Sequence, residues 1–180
     1  MGEIFFTADL HFCHNKDFIY NSRGFNSIEE MNEKIVDNFK SEIGSTDELY
    51  ILGDLMLNDN EKGLELIASI PGFKWIIIGN HDTQSRIEAY RSLENCDVIG
   101  FSSLKKISKR NSFYLSHYPT ITSNGMEKAP ICLHGHTHSK DPLEYSHFNC
   151  VNVGLDAWDC KPVHIEQIYN IKLNSMNYKK

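Results

Sequence analysis

The run Phe73 to Ile78 (F-K-W-I-I-I) constrains the fold more than any other stretch of the chain. A short segment this apolar, closing on three isoleucines, reads as a strand buried on both faces. Such strands belong to parallel sheets clothed by helices, and the surrounding sequence alternates accordingly. Glu3 to Asp9 and Glu48 to Leu52 are β-rich, while helical patterns cover Ser27 to about Ile43, Glu61 to Ile70 and Ser85 to Leu93. In the first helical pattern Ser27 and Glu30 form a capping box, and Met31, Ile35, Phe39 and Ile43 recur every four residues. Gly44 then stands where a helix commonly stops. Strand, helix, strand, helix, strand, helix implies a largely parallel sheet.

Beyond Leu93 the character changes to short strands. These are Asp97 to Phe101, Leu104 to Ser108, Ser112 to Ser116, Pro130 to Leu133, Asn149 to Val153 and Val163 to Tyr169, with Arg110-Asn111 as a hairpin turn. The fold class is therefore α/β. With no repeat and no linker, residues 1–173 read as a single domain and 174–180 as a polar tail. At 180 residues, 41% of them hydrophobic and 23% charged, the chain can build a sizeable core. A net charge of −6 argues against long nucleic acid as a partner, which needs a basic face. No apolar run is long enough for a membrane span, and Met1 leads straight into a strand-like segment without a signal peptide. The expected location is cytoplasmic, and five scattered cysteines without C-x-x-C spacing fit reduced thiols there.

Five polar clusters follow these strands: Asp9 with His11, Gly53-Asp54, Gly79-Asn80-His81-Asp82, Ser116-His117, and Gly135-His136-Thr137-His138. Ligands of open α/β sheets bind at the carboxyl ends of the strands, so five turns repeating that placement point to one site. Glycines among them let backbone approach closely. Two carboxylates, four imidazoles and an amide oxygen make a mixed nitrogen and oxygen set. Calcium or structural magnesium would prefer more carboxylates and no imidazole. Manganese, iron, zinc or nickel suit the set, and affinity order does not choose among them. Two carboxylates leave two divalent ions only partly neutralised, so the site would attract a phosphate. A pair of ions roughly 3.5–4 Å apart can activate water and stabilise an in-line displacement at phosphorus.

Taken in order, D-x-H, G-D, G-N-H-D, a lone histidine after a strand and G-H-x-H resemble the calcineurin-like metallophosphoesterases. The resemblance runs from Asp9 to His138, with Asn152-Val153-Gly154 trailing it. It implies a four-layer α-β-β-α sandwich with two facing mixed sheets and the metals at one edge. It also implies two divalent transition-metal ions, manganese foremost. Asp9, His11 and His138 would hold the first ion, and Asn80, His117 and His136 the second, with Asp54 bridging. His81 matches the family's general acid, and a metal-held hydroxide would be the nucleophile. The chain departs from the family where Leu57 replaces an acid that orients the catalytic histidine in many members. Asp59 or Asp82 could substitute, so Asp82 joins His81 as a candidate catalytic residue.

His14 and Arg23 match positions of a bacterial and phage subgroup with H-F-G-H and R-P-F, although Cys13 and Gly24 replace its glycine and proline. The match implies that both reach the substrate, Arg23 as a fork for phosphate oxygens. His134 reads as the end of a strand rather than a ligand. Asp156 and Trp158 could wall the pocket or simply pack. The expected activity is hydrolysis of a small phosphorylated substrate, a phosphodiester or nucleotide-type ester. Two alternatives remain: a phosphomonoesterase, and a catalytically silent scaffold like the retromer subunit of this fold. Missing ligands would mark the scaffold, and here every ligand position is filled.

Overall fold

The computed structural model describes residues 2–108, 111–121 and 129–177. The strands are β1 (Ile4–Thr7), β2 (Glu48–Leu52), β3 (Phe73–Ile77), β4 (Cys96–Gly100), β5 (Ser102–Lys106), β6 (Ser112–Ser116), β7 (Ile131–His134), β8 (Cys150–Asn152) and β9 (Val163–His164). The helices are α1 (Asp17–Tyr20), α2 (Ile28–Glu42), α3 (Asn60–Ser69), α4 (Gln84–Arg91) and α5 (Ile165–Asn177). One sheet has the order β4-β3-β2-β1-β9 and is parallel except at β9. The other has the order β5-β6-β7-β8, antiparallel at β5/β6 and parallel after it. Both sheets are therefore mixed, as expected.

Period-two alternation sorts the side chains of the first sheet into two cores. Phe5, Leu49, Ile51 and Ile76 face α2, α3 and α4, among Met31, Ile35, Phe39 and Ile67. Phe6, Tyr50, Leu52 and Ile77 face the second sheet, whose Phe113, Leu115, Leu133 and Val151 complete a core between the sheets. This double burial is what the apolar run of β3 required. Helix α2 starts at Ser27, whose hydroxyl accepts the Glu30 N–H at 3.2 Å. The Glu30 carboxylate closes the turn one residue early, on the Asn26 N–H at 2.8 Å.

Three local expectations change. Gly44 does not end α2 in the left-handed conformation: Ile43 leaves the helix in an extended one, and the Gly44 N–H donates to Asp47 at 2.7 Å. The stretch Val163 to Tyr169 is a strand for two residues only, pairing with Phe5 and Phe6, and then becomes α5. Ile165, Ile168 and Ile171 recur every three residues, so a helix keeps them on the inter-sheet core where a strand would turn Ile168 away. The expected tail from 174 is helical to Asn177, and 178–180 lie outside the described residues. Arg110 of the expected hairpin turn also lies outside them, while Ser108 N–H bonds the Asn111 carbonyl across the hairpin at 3.1 Å.

Candidate metal centre

The five motifs leave the carboxyl ends of β1, β2, β3, β6 and β7, and backbone hydrogen bonds stitch their loops together. Asp9 N–H bonds Gly53 O at 3.1 Å, His11 N–H bonds Asp54 O at 3.0 Å, and Gly135 N–H bonds His117 O at 3.0 Å. Ala8 forms a parallel bridge with Gly154, so the two sheets meet at this rim. Asp9, His11, Asp54, His136 and His138 all have left-handed backbone, with φ of 59°, 50°, 57°, 70° and 53°. Each costs an ordinary residue about 1–2 kcal/mol, which only a surrounding structure that leaves no alternative sustains. Two glycines are explained by space. A Cβ on Gly79 would overlap the Asp54 carboxylate, and one on Gly135 would overlap the Asp9 carboxylate.

All seven expected ligands come together here. Ligand atoms of Asp9, His11 and His138 lie within 4.8 Å of one another, as do those of Asp9, Asp54 and His117. His117 Nδ1 lies 2.8 Å from the Leu52 carbonyl, which fixes the proton on that nitrogen. Its Nε2 lone pair then stands 2.9 Å from Asn80 Oδ1 and 3.5 Å from Asp54 Oδ2. Three acceptors so disposed are matched by one cation that all can ligate. The His136 ring lies beside that of His117, centroids 5.0 Å apart, and the His136 N–H donates to Asp9 Oδ2 at 2.9 Å.

The residues fit divalent metal on a further ground. Asp9 Oδ1 and His11 Nε2 are buried and have no hydrogen-bond partner among the described residues. Unsatisfied buried polar atoms are costly, and a cation between them removes that cost. Burial pushes the Asp9 carboxyl up to about 6, against the pull of His138 and His117. Burial, with the Arg23 charge adding to it, holds His11 well below the ordinary imidazole range. Burial lowers His136 too. Neutral imidazoles are the ligating form. His138 goes the other way: burial lowers it, but the Asp156 hydrogen bond and the Asp9 charge lift it above the ordinary value.

The remaining candidates take distinct places. His81 stands at the mouth, its side chain 43% exposed and its Nε2 3.9 Å from Asp54 Oδ2. The two carboxylates considered in place of the acid missing at Leu57 are occupied elsewhere. Asp59 caps α3 by accepting the Lys62 N–H at 3.0 Å. Asp82 accepts the N–H groups of Asp54 at 2.9 Å, Gly79 at 2.8 Å and Leu55 at 3.3 Å, and the Tyr90 hydroxyl at 2.9 Å. It ties two metal loops together rather than serving the His81 ring. His14 lies on the cleft wall, its Nδ1 3.2 Å from that of His11. Arg23 lines the same cleft but turns its guanidinium onto Asp156 with the side chain 1% exposed. His134 ends β7, buried, with Nδ1 2.9 Å from the Gly135 carbonyl. The cleft, about 530 Å³, is also lined by Phe18, Lys140 and Asp156. Phe18 and Lys140 carry no sequence signal, since neither belongs to a motif or a period.

The sequence model for calcineurin-like phosphoesterases matches residues 2–174. The chain belongs to the calcineurin-like phosphoesterase family. An uncharacterised protein of Methanocaldococcus jannaschii is 30% identical over 95% of this chain and 92% of its own length. The gene 66 protein of Mycobacterium phage L5 is 27% identical over 95% of this chain and 94% of its own. The crystal structure of a protein of unknown function from Aquifex aeolicus superposes with a TM-score of 0.72 at 25% identity, covering 95% of this chain and 100% of that one. Among the described residues, no helix of this calcineurin-like phosphoesterase is long and apolar enough to cross a membrane.

Proposed function

We propose that this calcineurin-like phosphoesterase hydrolyses a small phosphodiester or nucleotide-type ester with two divalent ions, manganese foremost. The carrying observation is the pair of buried ligand atoms, Asp9 Oδ1 and His11 Nε2, without a hydrogen-bond partner among the described residues, inside a cluster of two carboxylates and three imidazoles. Asp9, His11 and His138 would hold one ion, and Asn80, His117 and His136 the other, with Asp54 shared. Such ions, when bound, would supply Lewis acidity toward phosphoryl oxygens and lower the pKa of a water.

The chain's own groups do the rest. His81 donates the proton to the leaving oxygen, a role suited to an imidazole whose free pKa is about 6.5. Its backbone is held from both sides, by its N–H on Asp54 Oδ1 at 2.8 Å and by Arg86 on its carbonyl at 2.7 Å. Phe18, 69% exposed beside His14, offers an apolar face for a base or other ring on the ester, and Lys140 offers a positive charge. Both favour a nucleotide-like substrate.

The test is turnover by the manganese-loaded protein of a chromogenic phosphodiester and the matching monoester. The diester should be the faster, and His81→Ala should lower its turnover roughly 100- to 10,000-fold while leaving metal content unchanged. Asp54→Asn should lose metal and turnover together. Faster monoester cleavage would make the protein a phosphomonoesterase. A fully metal-loaded protein inert to both would favour the scaffold reading.

A further inference from the structure

Arg23 and Asp156 are separated by 133 residues in sequence, yet form a buried pair with side chains 1% and 4% exposed. The guanidinium donates to Asp156 through Nε at 3.1 Å and Nη2 at 2.9 Å, a bidentate fork. Nη2 also donates to the Asp9 carbonyl at 2.8 Å, and Nη1 to the Leu10 carbonyl at 3.2 Å and the Met31 sulfur at 3.7 Å. Its donors are thus taken up within the protein, which leaves no fork for a phosphate.

We infer that Arg23 and Asp156 form a positioning clamp that sets the affinity of the first metal position selectively. Of the ligands of that position, His138 is held directly, and Asp9 and His11 through the backbone at or beside them. Asp156 Oδ2 accepts from His138 Nδ1 at 2.9 Å, which fixes the tautomer and leaves the Nε2 lone pair as the one that would ligate. The Asp9 and Leu10 carbonyls held by Arg23 flank the left-handed turns that aim Asp9 and His11. His117 and Asn80 of the second position rest on other supports: Leu52 O behind His117, and Asp82 on the Gly79 amide preceding Asn80.

The inference rests on the two-ion reading above, and its test separates the two. Stepwise Mn²⁺ binding is measured by titration calorimetry on the full chain, with the electron paramagnetic resonance spectrum reporting paired or single ions. The wild-type protein should take up two ions and show a coupled pair. Asp156→Asn should weaken one of them 10- to 100-fold, leave the other unchanged and replace the coupled spectrum by that of a single ion. Arg23→Lys keeps the charge but not the fork and should fall between.

Asp156→Asn alone leaves a buried Arg23 charge without its partner and could melt early. The double variant Arg23→Gln with Asp156→Asn removes both charges, and it should melt closer to the wild-type temperature without recovering the weakened ion. Two ions bound at wild-type affinity by Asp156→Asn and Arg23→Lys would overturn the clamp and leave the function standing. Equal weakening of both ions, or recovery of affinity with melting temperature in the double variant, would also overturn it. A wild-type protein that binds no ions would overturn the proposed function and the clamp with it.

Discussion

Asp9 is the residue where structure and chemistry press hardest on each other. Its carboxyl sits at about 6 in the folded, ion-free protein because burial raises it, against about 3.9 in an unfolded chain. A group raised in this way binds its proton more tightly when folded. Its contribution to stability is present in full below about pH 4 and lost as the pH climbs through 6. The same proton competes with a cation, so metal affinity should rise between pH 5 and 7 while the ion-free protein loses stability. Thermal melting with and without Mn²⁺ checks this: the shift on adding metal should be larger at pH 7.5 than at pH 5. A pH-independent shift would place the ion away from Asp9. At the same scale, the sequence motifs pointed to every residue of the cluster but put Arg23 on the substrate, whereas its fork is spent on Asp156. A surface fork and a buried one share the same letters, and Asp156 lies too far along the chain to leave a local pattern.

At the scale of the element, the site is a property of loops held at strand ends. Asp82 illustrates it, because a single carboxylate takes backbone N–H groups from both the β2 and the β3 loop. Burial and that carboxylate push the Tyr90 phenol far above its ordinary value, so its hydroxyl remains a donor. Asp82→Asn keeps the size but turns one accepting oxygen into a donor facing donors. It should cost about 3 kcal/mol, lowering the melting temperature by on the order of 10 °C. Tyr90→Phe should cost only about 1 kcal/mol. Melting of Asp82→Asn at the wild-type temperature would mean that the loops are held by other contacts. Helices α2 to α4 were readable from their apolar spacing, and the strands from their apolar runs. The start of α5 was not, because Val163 to Tyr169 alternates well enough for a strand until the core that receives Ile168 is known.

For the whole molecule, the two sheets bring Asp9 and Asp54 together at one rim, 0% and 2% exposed, where their charges oppose folding unless cations bind. Chelation should therefore destabilise the entire protein. Metal at about 100 times its dissociation constant contributes about 2.7 kcal/mol, so chelator should lower the melting temperature by roughly 5–10 °C in a single cooperative transition. An unchanged melt would remove metal from the structural account. The sequence by itself determined the alternation of strands and helices, the doubly buried β3 and the ligand types, because periodicity, burial and donor chemistry are local properties of the chain. Only the tertiary structure decided which carboxylates support rather than ligate, where Arg23 points and that α5 succeeds β9. Those outcomes depend on partners brought together across as many as 133 residues, and nothing local encodes such a distance.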